Sequence, residues 1–336
     1  MPSPHVPEHR LVEAVATLSG RMERALFEVR RLIVGQDAFL ERVMIALLAQ
    51  GHLLVEGMPG LAKTLTINTL ARVLHGQFRR IQFTPDLLPA DLIGSRIFDP
   101  RNAEFQTLLG PVFANLLLAD EINRAPAKVQ SALLESMQER QVTIAGVTHR
   151  LPTPFLVMAT QNPIETEGTY PLPEAQVDRF MMKLEVDYPS EADEFVVVER
   201  VIGPPIAVQP VLTVEDLLAM QAVCREIYVD PVLIRYAVRI TAVSRAPAAY
   251  GTPKLGPLLL HGASPRASIA MIEAARALAA MRGRTYVLPE DIGAIAADVM
   301  RHRITLSDEA IATQVDPASV VAELIGAVPV PSLALA

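Results

Sequence analysis

The sequence carries a single cysteine, Cys224, which rules out an intramolecular disulfide framework and fits a reducing compartment. No apolar run approaches the ~18 residues that a membrane-spanning helix requires. The opening stretch M-P-S-P-H-V-P-E-H-R has no apolar core, so no signal peptide is expected and the cytoplasm is the expected location. Long basic runs are absent too, and 30 Lys+Arg against 37 Asp+Glu leave a net charge of −7. A strong sequence-independent grip on nucleic acid is therefore not expected, which leaves at most a local basic surface. What the chain has in abundance is core material. It is 51% hydrophobic and 20% charged over 336 residues, which suggests two domains at about 150 residues each.

The pattern of elements divides the chain. Residues 1–9 are proline-rich and read as a disordered lead. The spacing Leu11, Val15, Leu18, Met22, Leu26, Val29 predicts a helix over 11–32, and a second runs from about Asp37 to Ala49 after the break Ile33-Val34-Gly35-Gln36. Strands are expected at 52–55, 78–83, 116–121, 155–160 and 182–186, and a helix at 126–138. Two hairpins are expected, over 97–107 and 142–149. Strands that are apolar throughout and alternate with helices imply a parallel sheet covered on both faces, with ligands at the strands' carboxyl ends. Residues 204–212 read as a linker between an α/β core over 10–203 and a helical domain over 213–336. No strand pattern appears after Val186. The segment from Leu324 to Ala336 is apolar but broken by Pro329 and Pro331.

The stretch Gly57-Met58-Pro59-Gly60-Leu61-Ala62-Lys63-Thr64 follows an apolar strand and runs into a helix that carries the lysine and the hydroxyl in its first turn and continues through Leu65. A turn of this kind aims backbone N–H groups inward, and the helix N-terminus adds partial positive charge, so a polyphosphate fits there. Lys63 would reach the terminal phosphates and the Thr64 hydroxyl would hold Mg²⁺. No Asp or Glu lies between Gly57 and Arg80, so Lys63 has no local counter-charge, and the helix dipole disfavours a cation at that end. The glycine usual before the lysine is Ala62 here. Its Cβ is expected to be tolerated because the helix has already begun, while Gly57 and Gly60 keep the flexible positions.

Asp120 and Glu121 close an apolar strand, where two adjacent carboxylates are costly unless a cation awaits them. Asp120 is expected to order Mg²⁺, and Glu121 to polarise a water for attack on a γ-phosphate. At Ala159-Thr160-Gln161-Asn162-Pro163, Asn162 offers an amide that could bridge that water and the phosphate, although Asn-Pro is also a turn signal. Arg179, between Asp178 and Phe180, is either locally paired or a finger presented to a neighbouring subunit's nucleotide. Arg266 follows the N-cap Ser264 and Pro265; a cation against the helix dipole there suggests an anion supplied from elsewhere.

Together GMPGLAKT, LLLADEINRAPAKVQSALLESMQE, ATQNPIETEGTYPLPEAQVDRF and GASPRAS resemble the MoxR group of AAA+ ATPases, over about Leu11 to Asp308. The resemblance implies an α/β fold, a P-loop AAA+ core with a parallel five-stranded sheet and helices on both faces, followed by a small all-α lid domain. It implies ATP and Mg²⁺ as ligands, Gly57–Thr64 as Walker A and Asp120-Glu121 as Walker B. It makes Asn162 sensor 1, Arg179 the arginine finger, Arg266 sensor 2, and Val34, Gly35 and Gln36 an adenine-side element. The hairpins over 97–107 and 142–149 are similar to inserts that face the pore or the client in related rings. The expected activity is ATP hydrolysis by a homo-oligomeric ring, expected to be a hexamer, that remodels or matures protein complexes. A von Willebrand factor A-domain protein and a protein client are the partners the resemblance implies.

Two other classes compete with that expectation. A DNA-remodelling motor would use Arg101 and His149-Arg150 on the hairpins, but Glu104 offsets them and the chain is acidic. An ATP-gated scaffold with little turnover is opposed by Glu121 and Arg179.

Overall fold

A computed structural model describes residues 8–58, 60–162 and 168–332. Two compact units emerge. Of the described residues, those in 24–179 and 184–218 form an α/β unit, and those in 1–23, 180–183 and 219–336 form a helical unit. The division is not the single break expected near 204–212, because the helical unit also takes the first part of the N-terminal helix and four residues after Arg179. That helix, α1, is Glu8–Arg30, so residues 8 and 9 of the expected disordered lead are helical; residues 1–7 lie outside the described residues.

In the α/β unit, α2 (Asp37–Leu48) buries Phe39, Leu40, Val43 and Met44 and leads into β1 (Leu53–Gly57). Then come α3 (Lys63–Val73), β2 (Phe78–Gln82), the short α4 (Pro89–Ile93), and the hairpin β3 (Gly94–Asp99) and β4 (Glu104–Leu109). After β5 (Leu116–Asp120), α5 (Ala127–Glu139) presents Val129, Leu133 and Met137 to the core. The second hairpin is β6 (Gln141–Ile144) with β7 (Val147–Arg150), followed by β8 (Leu156–Gln161), the single turn α6 (Glu174–Val177), β9 (Met182–Val186) and α7 (Glu191–Ile202). The main sheet has the order β2-β5-β8-β1-β9. Its registers are parallel between β2 and β5, β5 and β8, and β8 and β1. Leu116 to Ala119 and Leu156 to Ala159 are all buried, as strands covered on both faces must be. The order sets β5, β8 and β1 side by side, so the three polar segments that leave their carboxyl ends become neighbours.

His52, just before β1, ties three parts of this core together. Its Nδ1 accepts from the Val157 N–H at 3.0 Å and its Nε2 bonds the Met137 carbonyl at 3.2 Å. Burial, reinforced by the charge of Arg140, lowers its pKa to about 3 and keeps the ring neutral. Residues 204–210 carry no element, but the N–H groups of Val211 and Leu212 both bond the Val73 carbonyl, so the end of that segment is fastened to α3.

The helical unit holds α8 (Val214–Glu226) beyond its first turns, α9 (Pro231–Val243), α10 (Pro265–Met281), α11 (Pro289–Met300), α12 (Asp308–Ala312) and α13 (Pro317–Gly326). Asp230, Ser264 and Asp316 cap their helices as their sequence positions suggest. A two-stranded antiparallel ladder, β10 (Leu259–His261) with β11 (Thr305–Leu306), stands where no strand was expected. Segments of three and two residues are too short for the alternation that betrays a strand. Val320, Val321 and Leu324 of α13 are buried, so the start of the apolar tail is core; residues 333–336 lie outside the described residues. Cys224 is buried, and burial pushes its thiol up to about 12, which leaves it protonated.

Candidate nucleotide site

A cavity of ≈ 390 Å³ lies within the α/β unit, where the turn after β1 meets the carboxyl ends of β5 and β8. Gly57, Gly60, Leu61, Ala62, Lys63, Thr64 and Leu65 line one side, and Asp120, Glu121 and Asn162 line another. Met58 adjoins the turn, and Pro59 lies outside the described residues.

The two glycines serve different ends. Gly57 is the last residue of β1, and a Cβ there would lie 2.7 Å from the Val186 carbonyl oxygen, so its role is close approach to β9 rather than flexibility. Gly60 has φ +87 with open space around it, so its backbone conformation is what requires glycine. Ala62 overturns the expectation made for it. The helix has not begun there: Ala62 is the residue before α3, at φ 55 and ψ 14, in the left-handed region. An L-residue with a Cβ is strained in that region.

Among the described residues no side chain caps α3, and its first turn carries no acidic residue. The N–H groups at the start of a helix have no intrahelical partner, so here they face the cavity as free donors. Lys63 Nζ donates to the Gly57 carbonyl at 2.7 Å. Burial pushes the Lys63 ammonium below its ordinary value, and Asp120, Glu121 and Glu56 oppose that shift. The counter-charges missing from its own segment are thus supplied by β1 itself and by the end of β5.

The two carboxylates are held by side chains that sequence reasoning did not single out. Arg80 donates from Nη2 and Nε to Asp120 Oδ2, at 2.7 and 3.1 Å. Thr160, itself buried, donates to Asp120 Oδ1 at 2.6 Å and accepts from the Glu121 N–H at 2.9 Å. Glu121 Oε2 accepts from Gln82 Nε2 at 2.7 Å and from Arg124 Nη1 at 3.0 Å. Glu121 also has φ 56, which starts a short 3₁₀ turn over Ile122–Arg124 and separates its direction from that of Asp120. A signal for this network was present. Arg80 and Gln82 stand two apart on β2, so they share one face of a strand that adjoins β5.

Among the described residues, the adenine-side candidates touch the turn at one point: Gln36 Nε2 donates to the Leu61 carbonyl at 3.1 Å, while Gln36 Oε1 is buried without a hydrogen-bond partner. Gly35 has φ +71, and Val34 is half-buried. None of these three lines the cavity. Arg179 does not line it either. Arg179 is half-buried, and its guanidinium makes no hydrogen bond or ion pair with the described residues. The local pairing with Glu174 or Asp178 is therefore not formed. Arg266 is exposed in the first turn of α10, where its N–H bonds Ser264 Oγ at 3.1 Å.

The donor set suits a nucleotide with a divalent cation. Free N–H groups and an ammonium face phosphate, while a hydroxyl and a carboxylate are hard oxygen ligands of the kind Mg²⁺ takes alongside water and phosphate.

Residues 52–182 match the model of the ATPase family associated with various cellular activities (AAA), and residues 257–324 match the AAA lid domain. Chaperone MoxR1 of Mycobacterium tuberculosis is 52% identical over 96% of this chain and 85% of its own length. Protein MoxR of Methylorubrum extorquens is 31% identical over 86% of this chain and 88% of its own length. A solved structure from Cytophaga hutchinsonii superposes with a TM-score of 0.90 at 44% identity, covering 95% of this chain and 98% of that one.

Proposed function

From the premise that the chain belongs to the MoxR family of AAA+ ATPases, we propose that it hydrolyses ATP to ADP and phosphate as an oligomeric, hexameric ring. The cycle drives a chaperone-like motor in the cytoplasm that remodels or matures a protein complex, together with a von Willebrand factor A-domain partner. The observation that carries the reading is the cavity in which the uncapped start of α3 faces Asp120, Glu121 and Asn162.

Each residue then has a task. The N–H groups from Gly60 to Leu65 and the Lys63 ammonium bind the phosphates. Thr64 and Asp120 hold Mg²⁺, which when bound neutralises charge on the phosphate oxygens. Glu121 takes the proton of the attacking water and Asn162 orients that water. Gln36, fastened to Leu61, sets the edge of the base pocket together with Val34 and Gly35. Arg179, whose guanidinium has no partner among the described residues, is available to a neighbour's nucleotide, and Arg266 supplies a further cation from the lid.

Client contact is supported by the β3–β4 hairpin, where Ile97, Phe98, Phe105 and Leu108 are all exposed. Contiguous exposed apolar side chains of this kind mark interaction surfaces. Phe98 and Phe105 stack edge to face at 5.3 Å and Arg96 lies 5.1 Å from the Phe105 ring centre, so the surface is preformed.

The test is turnover in paired variants. Glu121→Gln should lower kcat by roughly 10²–10⁴ while leaving nucleotide affinity within a few-fold. Arg179→Ala should also be inactive, and mixing the two variants should restore turnover, because each supplies what the other lacks. Wild-type-like turnover in Glu121→Gln, or no gain on mixing, counts against the reading.

A further inference from the structure

Arg179 is mounted from one side only. The turn before it, α6, has no buried residue, whereas Phe180, Met181 and Met182 directly after it are all buried. Their backbone is held by two side chains that follow α11. Arg303 Nη2 donates to the Phe180 carbonyl at 2.6 Å, and its Nη1 donates to the Met181 and Val299 carbonyls at 3.1 and 2.6 Å. His302 Nε2 adds a second bond to the Phe180 carbonyl at 3.1 Å. Both lone pairs of that oxygen are thereby engaged.

The arrangement is an expensive way to pack a chain segment. Arg303 is only 8% exposed, and a buried guanidinium is tolerated where carbonyls or carboxylates surround it. Burial and the neighbouring guanidinium keep the His302 ring neutral, so it donates from one nitrogen only. Apolar side chains could have filled the same space. What they could not do is fix the orientation of the peptide units immediately after Arg179. Phe180–Lys183 accordingly group with the helical unit, not with the sheet in which Met182 and Lys183 run.

We infer that Arg303, assisted by His302, is a positioning residue that sets the direction of the Arg179 guanidinium toward a neighbouring subunit's nucleotide. The inference rests on the reading of Arg179 as a finger acting in trans.

The mixing experiment separates this role from a structural one. The parent mixture is Glu121→Gln, which donates a finger, with Arg179→Ala, which accepts one. Arg303→Met is then placed in the donor or in the acceptor, with assembly checked by size. In the donor it should lower the restored turnover about 10²-fold, the scale of a misplacement near 1 Å. In the acceptor it should leave turnover near that of the parent mixture, since residue 179 there is already alanine. Equal losses in both arms, or no loss in either, overturn the inference. His302→Phe, which removes one donor without stranding a buried charge, should show the same asymmetry at several-fold and decides the matter if Arg303→Met does not assemble. A parent mixture without turnover removes the finger reading itself, and the positioning role with it.

Discussion

Ala62→Gly should stabilise the α/β unit. Ala62 has φ 55 and ψ 14, and a Cβ in the left-handed region costs roughly 1–2 kcal/mol. Glycine removes that strain but gives the unfolded chain more freedom, which takes back about 0.4–1 kcal/mol. The net gain is about 0.8 kcal/mol, or roughly 1.5–3 °C in Tm for a domain of this size. Differential scanning calorimetry of the ligand-free protein reads the shift, with Gly60→Ala as the opposing control. Gly60 has φ +87 and open space around it, so an added Cβ meets only the backbone penalty and should lower Tm by a similar amount. A Tm that falls in Ala62→Gly, or that is indifferent to Gly60→Ala, would refute the argument that backbone strain is stored in this turn. Because the strain lies in the turn proposed to bind phosphate, relief of it should also loosen that turn, so a Kd for ADP that rises as Tm rises is the expected companion result.

Two further outcomes follow from the geometry. His52 has a folded pKa of about 3 against 6.5 unfolded, so the folded state prefers the neutral ring. Its contribution is fully present above pH 6.5 and is lost as pH falls toward 3, by about 1.4 kcal/mol per pH unit. Denaturation midpoints measured from pH 7 to pH 4 should drop less steeply in a stably folded His52→Gln variant than in the wild type, and identical slopes would reject the account. At the cavity, Arg80 holds the Asp120 oxygen that a divalent cation would share. The Arg80 side chain is 48% exposed, so the pair is worth ~0.2–1 kcal/mol after solvent screening. Arg80→Ala should therefore lower the Mg²⁺ concentration for half-maximal turnover by up to about fivefold, and an increase would mean that Arg80 supports the site instead of competing for it.

The outline of the ATPase core was legible because each of its signals is local. Apolar runs such as Leu116 to Ala119 specify buried strands without any knowledge of their neighbours. The turn at Gly57–Thr64 and the carboxylates at Asp120 and Glu121 announce themselves by residue type where a strand ends. Elements whose stability comes from elsewhere were harder to read. All residues of α7 stay exposed or half-buried, so its sequence carries no burial period. The ladder of β10 with β11 joins residues far apart in the chain that show no pattern of their own.

By itself, then, the sequence determined the class of fold and singled out the turn at Gly57–Thr64 proposed to bind phosphate, because backbone preference and hydrophobic period act over a few residues. Its residues also named their family. Tertiary structure alone decided how the site is wired. It set β2 beside β5, which delivered Arg80 and Gln82 to carboxylates about 40 positions away. It showed that Gly57 answers to a carbonyl on β9 and that Ala62 is strained where it was expected to be at ease. It also brought Arg303 to the carbonyls behind Arg179, 123 positions from Phe180. Contacts at that separation depend on how the whole chain closes on itself, and nothing in the spacing of neighbouring residues encodes them.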